Sequence, residues 1–359
     1  MLEKFYLSNP YDWEQKEKDY VLTEELLQLT RYHQGKCKEY ADLLRALEVD
    51  LKQVNHYSQL PFFPVRLFKE RELKSVEQKQ IFKVMTSSGT TGQRVSKIFV
   101  DKDTAMLQQK TMIKILSDFW GKKRLPMLIV DSPKVIKDRT LFSARGAAVI
   151  GLTMMASEMV YVLNEDMSLN EDVLDEFMLK YGERPFVVFG FTFMIWEHFY
   201  GFLKKCNKTY HMSKAYLFTG GGWKKLEHSA VSREQFKEEI RNICGIEHFI
   251  DHYGMVEQTG CIYAECEYGH LHASIFSDVI TRRSSDFSLC EIGEPGIVQV
   301  VSVLPHSYPG HSLLTEDEGV VLGVDDCPCG RKGKYIKITG RIKNAEIRGC
   351  SDTYAADYR

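Results

Sequence analysis

The apolar positions of this chain follow two alternating rhythms. Short runs at 81–85 (IFKVM), 127–131 (MLIVD), 185–193 (PFVVFGFTF), 215–218 (AYLF) and 247–251 (EHFID) have the length and residue types of buried strands. Between them the spacing turns helical: residues 104–119, the stretch 170–181 with Val173, Leu174, Phe177 and Met178 turned inward, and residues 231–243. Nearer the N-terminus, Tyr40, Leu43, Leu44 and Leu47 share one helical face, and Thr23 stands as an N-cap before Glu24 and Glu25. Prolines bracket the aromatics of 55–64, and Arg66 to Lys69 should form a short exposed turn or helix. From about Glu291 the pattern becomes short β runs at 296–304, 320–324 and 335–339. Strands alternating with helices predict an α/β architecture with a small β region near its end.

One connection stands apart. Thr86-Ser87-Ser88-Gly89-Thr90-Thr91-Gly92-Gln93 places five hydroxyls and two glycines between the run at 81–85 and a second one at 95–100, which should return antiparallel. Glycines let backbone N–H groups approach an anion, and hydroxyls add donors, so the loop reads as a phosphate cradle. A plain Gly/Thr-rich hairpin connection is the competing reading. The common nucleotide loop G-x-x-x-x-G-K-[ST] is excluded, because Gln93 and Arg94 follow Gly92.

Composition narrows the classes. The 359 residues are 44% hydrophobic and 27% charged, enough for a large core, and the net charge of -2 offers no general attraction to nucleic acid. The N-terminus lacks the apolar segment of a signal peptide and no stretch approaches a membrane span, so a cytosolic protein without a membrane partner is expected. Nine scattered cysteines argue for reduced thiols, with metal ligation or catalysis as their special uses.

Four segments gain meaning from their order: the loop at 86–92, the triple glycine Gly220-Gly221-Gly222 after a strand, Tyr253-Gly254-Met255-Val256-Glu257, and Thr339-Gly340-Arg341-Ile342-Lys343. In this order they resemble the adenylate-forming superfamily of acyl-CoA synthetases, luciferases and peptide-synthetase adenylation domains. TSSGTTG followed by YGxxE about 160 residues later carries most of the resemblance. At the end of the chain, Cys327-Pro328-Cys329-Gly330-Arg331, Gly333-Lys334-Tyr335 and Ala345-Glu346-Ile347-Arg348-Gly349-Cys350-Ser351-Asp352 resemble the acyl-protein synthetases, the fatty-acid-activating subunits of the bacterial fatty acid reductase complex that supplies aldehyde for bioluminescence. Membership need not imply light production.

The resemblance implies the adenylate-forming fold, a large N-terminal domain of mixed α/β subdomains with a small β region and a truncated C-terminal segment. Its divisions would be a helical region at 1–80, an ATP- and acyl-binding domain at 81–340, and a short mobile segment at 341–359. It also implies ATP and Mg²⁺ as cofactors. Thr86, Ser87, Ser88, Gly89, Thr90, Thr91 and Gly92 would hold the β and γ phosphates, and Glu257 the Mg²⁺. Gly220, Gly221 and Gly222 would lie beside the adenine, with Tyr253 and Gly254 near it or the α-phosphate. Asp317 would take the ribose hydroxyls, with Asp325 or Asp326 as rival assignments. Arg341 matches the ribose or phosphate arginine and Lys343 the hinge of the C-terminal part. Phe191, Thr192 and Trp196 lie where the superfamily places its acyl pocket, although a core strand and helix would read identically.

Two departures bear on the chemistry. The superfamily loop continues with Pro-Lys, whereas Arg94 or Lys97 must supply any cation here. The chain stops at Arg359, soon after Gly349, without the full C-terminal domain that brings a lysine and a CoA channel, so a complete acyl-CoA ligase is not expected. Cys350 offers the substitute, since a thiolate attacks an acyl-adenylate well and a tail cysteine could pass a thioester to an acyl reductase subunit, with an acyl-donor transferase as a further partner. Delivery of the acyl group to CoA or a carrier protein is one alternative, and a noncatalytic scaffold subunit is another. Cys266, His272, Cys327 and Cys329 also resemble the structural zinc site of some phenylacetate-type CoA ligases. His270 and Cys261 are rival ligands, and reduced core cysteines are the alternative reading.

Overall fold

The computed structural model describes residues 2–87, 95–137, 144–223 and 230–342. Described residues up to 118 and from 253 onward form one compact unit, and those from 119 to 252 form another.

After the short helix Glu3–Leu7, the first unit continues with the long helix Gln15–Lys36, which buries Val21, Leu22, Leu26 and Leu29 on one face. Thr23 lies inside this helix, its hydroxyl donating to the Asp19 carbonyl at 2.6 Å, so it is no N-cap. The capping acceptor comes from far along the chain: the Asp325 carboxylate takes the Gln15 N–H at 2.9 Å, a partner that no local pattern can announce. Further on, the Asp278 carboxylate is fully buried and receives Lys18 at 3.5 Å, Lys334 at 3.3 Å, Gln15 Nε2 at 2.6 Å and the Tyr57 hydroxyl. Burial alone would raise its pKa, but the two ammonium groups and the hydroxyl together hold it well below the carboxylate range. This network ties the helix to the sheet behind it. The short helix Leu67–Glu70 is less exposed than its polar flanks predict, because Phe68 is buried.

Strand β1 (Phe63–Pro64) pairs parallel with a later strand, while β2 (Ile81–Thr86) and β3 (Lys97–Asp101) form the expected antiparallel hairpin around the hydroxyl-rich loop. The hairpin is asymmetric. Ile98 and Val100 of β3 are buried, whereas Phe82 and Val84 of β2 are 58% and 47% exposed. The run at 81–85 is therefore not a buried strand: Ile98, Phe99 and Val100 make β3 the covered strand of the ribbon, and β2 is its exposed edge.

The second unit is the parallel sheet. Strands β4 (Leu125–Ile129), β5 (Ala156–Tyr161), β6 (Phe186–Phe191), β7 (Ala215–Gly220) and β8 (His248–Tyr253) lie in the order β5-β4-β6-β7-β8, all parallel. The crossover helices are built from clear local signals. Asn170 caps Glu171–Tyr181 through the Val173 N–H, and Ser232 caps Arg233–Cys244, which ends on Gly245 in the left-handed region at φ 66°. Leu174, Phe177, Phe236 and Ile240 join Val188, Leu217 and Phe249 in one core.

The chain returns to the first unit as β9 (Tyr263–Glu265), β10 (Leu271–His272), β11 (Ser277–Arg282), β12 (Pro295–Ser302), β13 (Ser312–Val324) and β14 (Lys334–Arg341). These run antiparallel in the order β11-β12-β13-β14-β10-β9 and supply the β region expected from the C-terminal pattern. No helix among the described residues is long and apolar enough to cross a membrane.

Candidate active site

In the first unit the base of the hydroxyl-rich loop is pinched shut. The Ser96 N–H donates to Ser87 Oγ at 2.9 Å, and the Ser87 N–H to the Ser96 carbonyl at 3.3 Å. Glu257, buried in the short 3-10 turn Val256–Gln258, has the Ser96 side chain beside its carboxyl. Burial pushes the Glu257 pKa up, and the Ser96 hydroxyl offsets this only in part. An acid so placed gains most from a cation, which would restore the charged form that burial disfavours. Ser88 to Arg94 fall outside the described residues. Lys97, exposed at the start of β3, pairs with Glu72 at 3.5 Å.

A second group in the same unit joins three sequence-predicted residues. The Tyr253 hydroxyl donates to Asp317 Oδ2 at 2.7 Å, and Arg341 Nε lies 3.4 Å from Asp317 Oδ1. Burial and then the neighbouring Asp317 push the Tyr253 phenol well up, so it stays a donor. Strand pairing supplies the proximity, since Asp317 on β13 stands opposite Arg341 on β14. Thr315 fixes the Asp317 backbone by accepting its N–H at 3.1 Å, and Glu316 approaches the Arg341 guanidinium at 4.0 Å. The rival Asp325 is engaged elsewhere, its carboxylate accepting Gln15 N–H and, at 2.6 Å, Gly333 N–H.

The triple glycine lies in the second unit at the end of β7. Gly220 faces the His252 ring so closely that a Cβ would stand 2.2 Å from Cε1, and Gly221 has φ +73° with Phe191 against it. Only glycine fits both. His252 stacks on Phe218 at 4.7 Å and donates Nδ1–H to the Thr219 carbonyl at 2.8 Å. Burial lowers its pKa, leaving a neutral ring beside the turn. Phe191 and Thr192 are buried, and the Trp196 ring packs on Tyr200 at 4.3 Å, next to Trp223 and Phe236. Trp196 lies in a π-helical stretch, Ile195–Tyr200, a backbone form that recurs at functional sites. Lys343 and Cys350 fall outside the described residues.

The thiols resolve into a constellation. Ligand atoms of Cys266, His272, Cys327 and Cys329 all lie within 4.8 Å of one another, with Cys266 Sγ 3.9 Å from Cys327 Sγ and Cys329 Sγ 3.4 Å from His272 Nε2. A tetrahedral zinc with sulfur at about 2.3 Å and nitrogen at about 2.0 Å requires edges of about 3.8 Å and 3.5 Å. Of the rivals, Cys261 is buried against Ser302 Oγ at 3.1 Å, and His270 offers Nδ1 to Cys327 Sγ at 3.3 Å. Arg331 spans Asp118 at 2.9 Å and Glu267 at 3.2 Å beside Cys329.

Local reasoning missed Ser96, His252, Glu316 and Arg331. Ser96 and His252 are near neighbours of motif residues, but only the hairpin register and the β7–β8 pairing bring their side chains to the site.

The fold is that of the adenylate-forming ligases. The structure matches 2-hydroxyisobutyryl-CoA ligase in an open conformation with 2-HIB-AMP and CoA at a TM-score of 0.74 and 14% identity, covering 93% of this chain and 77% of that one. It matches ATP-bound MatB from Rhodopseudomonas palustris at a TM-score of 0.50 and 17% identity, covering 74% and 49%. Within that class the chain belongs to the acyl-protein synthetase (LuxE) family, whose pattern matches residues 3–358. Long-chain-fatty-acid–luciferin-component ligases of Vibrio harveyi and Aliivibrio fischeri are each 20% identical to it, covering 96% of this chain and 90% and 91% of theirs. The protein is therefore a ligase of the acyl-protein synthetase family with the adenylate-forming fold.

Proposed function

We propose that the protein activates a fatty or related carboxylic acid as its acyl-adenylate, transfers the acyl group to its own Cys350, and passes it to an acyl reductase subunit. The observation that supports the adenylation step is the set joining the Tyr253 hydroxyl and the Arg341 guanidinium to the Asp317 carboxylate, in the same unit as the buried Glu257 carboxyl. Residues 86–92 would hold the β and γ phosphates, and Glu257 would hold Mg²⁺, which would supply charge neutralisation there. Arg341, Asp317 and Tyr253 form a hydrogen-bonded set suited to ribose hydroxyls and the α-phosphate, while Gly222, with nothing within 4 Å of a Cβ position, leaves room for a flat base beside the glycine turn. The acid's carboxylate oxygen attacks the α-phosphorus as the bond to the leaving pyrophosphate breaks. The Cys350 thiolate then attacks the acyl carbonyl, AMP departs, and a thioester remains. Lys343 serves as the hinge between the two steps, and Phe191, Thr192 and Trp196 border the acyl chain.

ATP–pyrophosphate exchange across a panel of acids, followed by labelling with radioactive acid and no added acceptor, tests this. Exchange with one class of acid and hydroxylamine-labile label lost in Cys350→Ala are expected. Undiminished label in Cys350→Ala would sink the cysteine step. Exchange without any label would favour delivery to CoA or a carrier protein, which the luciferin-component ligase relatives make the weaker reading.

The Cys266, His272, Cys327 and Cys329 cluster is proposed as a structural zinc site. Four closed protein ligands leave no open position for substrate, which supports a structural role.

A further inference from the structure

Glu257 sits in a single 3-10 turn, Val256–Gln258, which has too few internal hydrogen bonds to fix a side chain by itself. Contacts from elsewhere in the same unit hold it on three sides. Tyr308, fully buried between β12 and β13, donates its hydroxyl to the Glu257 carbonyl at 2.9 Å. Gln258 Nε2 donates to the Gly310 carbonyl at 2.9 Å and to Val300 at 3.2 Å. Gly260, at φ +93°, lies so close to the Gln108 backbone that a Cβ would stand 2.5 Å from its carbonyl oxygen.

Tyr308 is itself held. Its ring meets Phe68 edge-on at 6.0 Å, and Gln108 Nε2 lies 3.4 Å from its hydroxyl. The Gly310 N–H bonds the Tyr308 carbonyl at 2.8 Å, closing a three-residue turn over Pro309. A Cβ on Gly310 would stand 2.4 Å from the Tyr308 ring and 3.0 Å from the Glu257 carbonyl oxygen. Ring, turn and carbonyl are thus packed without slack.

We propose that Tyr308 is a positioning residue for Glu257, its hydroxyl fixing the height and rotation of the 256–258 turn so that the carboxylate meets the divalent cation on the nucleotide phosphates. This rests on the reading of Glu257 as a cation ligand. Small divalent ions demand near-ideal octahedral geometry, so a carboxylate anchored only by one turn would hold them poorly. A bound carbonyl also fixes the rotation of its own peptide plane, and hence the direction of the adjoining side chain.

The test titrates Mn²⁺ against the full chain with saturating ATP, following free Mn²⁺ by electron paramagnetic resonance, in wild type, Tyr308→Phe and Glu257→Gln. Tyr308→Phe keeps the ring and removes one donor, so Mn²⁺ should bind about three- to tenfold more weakly, the scale of one hydrogen bond, with ATP affinity without metal unchanged. Glu257→Gln should weaken Mn²⁺ further. A shift in Glu257→Gln with none in Tyr308→Phe would overturn the positioning role alone, and no shift in Glu257→Gln would overturn the cation-ligand reading and the proposal with it. If Tyr308→Phe folds poorly, Gln108→Leu, which removes the amide behind the hydroxyl, should give a smaller shift of the same sign, and unchanged Mn²⁺ binding there counts against the proposal.

Discussion

Gly220 and Gly222 look alike in sequence and differ in space. A methyl on Gly220 enters the His252 ring, whereas nothing lies within 4 Å of a Cβ at Gly222. Gly220→Ala must therefore displace His252 from its stack on Phe218 and its bond to Thr219, costing about 1–3 kcal/mol as overpacking. Urea unfolding should show that loss and steady-state exchange should show a raised KM for ATP, while Gly222→Ala should leave the unfolding midpoint close to wild type. Asp317 makes the same point from the acidic side. Three candidate aspartates follow one another within a short span of sequence, and strand register alone joins Asp317 to Arg341 and Tyr253 while Asp325 becomes a helix cap.

Among elements, the helix Gln15–Lys36 carries a burden its sequence hides. His33 accepts from Ser75 Oγ at 2.7 Å and donates Nε2–H to the Pro305 carbonyl at 2.9 Å, stacked at 5.1 Å on His311. Thr30 already donates to Leu26, so it accepts Nε2–H of His311 at 2.9 Å, and His311 Nδ1 is left buried with no hydrogen-bond partner. Burial, with His306 nearby, lowers the His311 pKa to about 3, while the unfolded residue titrates near 6.5, about its ordinary value. The unfolded chain thus binds the extra proton between those values. The stability His311 contributes is full above about pH 6.5 and falls toward pH 3 by about 1.4 kcal/mol per unit. Urea midpoints measured from pH 7.5 to 5 should drop, and His311→Gln should flatten that slope; an unchanged slope in the variant would reject the assignment. The crossover helices and the parallel strands β4, β6, β7 and β8 were legible in the sequence because their apolar periods are local. Strand β2 was misread as buried, and Thr23 as a cap, because burial and capping there depend on which distant segment arrives.

At the scale of the molecule, the thiol cluster ties the ends of the first unit together. Asp325 and Gly333 bracket the Cys327–Cys329 loop, the Asp325 carboxylate accepting both the Gly333 and the Gln15 N–H, Lys332 N–H bonds the Tyr11 carbonyl at 2.9 Å, and Lys18 reaches the Ala273 carbonyl at 3.0 Å, next to His272. Loss of a bound zinc should therefore loosen the N-terminal helix as well as the loop. Metal analysis should find about one zinc per chain. Chelation should lower the thermal midpoint and raise hydrogen exchange in residues 11–36 and 325–334 together. Exchange confined to the loop would sever that link, and purified protein without near-stoichiometric zinc would remove the site.

The sequence by itself determined the alternation of strand and helix, the hydroxyl-rich hairpin loop and the ordered motifs around Gly220, Glu257 and Arg341, because these rest on short-range chemistry: turn residues, caps, apolar period and spacing. It also singled out the four residues of the thiol and histidine cluster, though only as two loose pairs. Tertiary structure decided their convergence, since Cys266 and His272 meet Cys327 and Cys329 through the pairing of β10 with β14. The same holds for Ser96 beside Glu257, His252 beneath Gly220, and a second unit inserted between the two parts of the first. Contacts across tens or hundreds of residues depend on strand order and register, which no local pattern encodes.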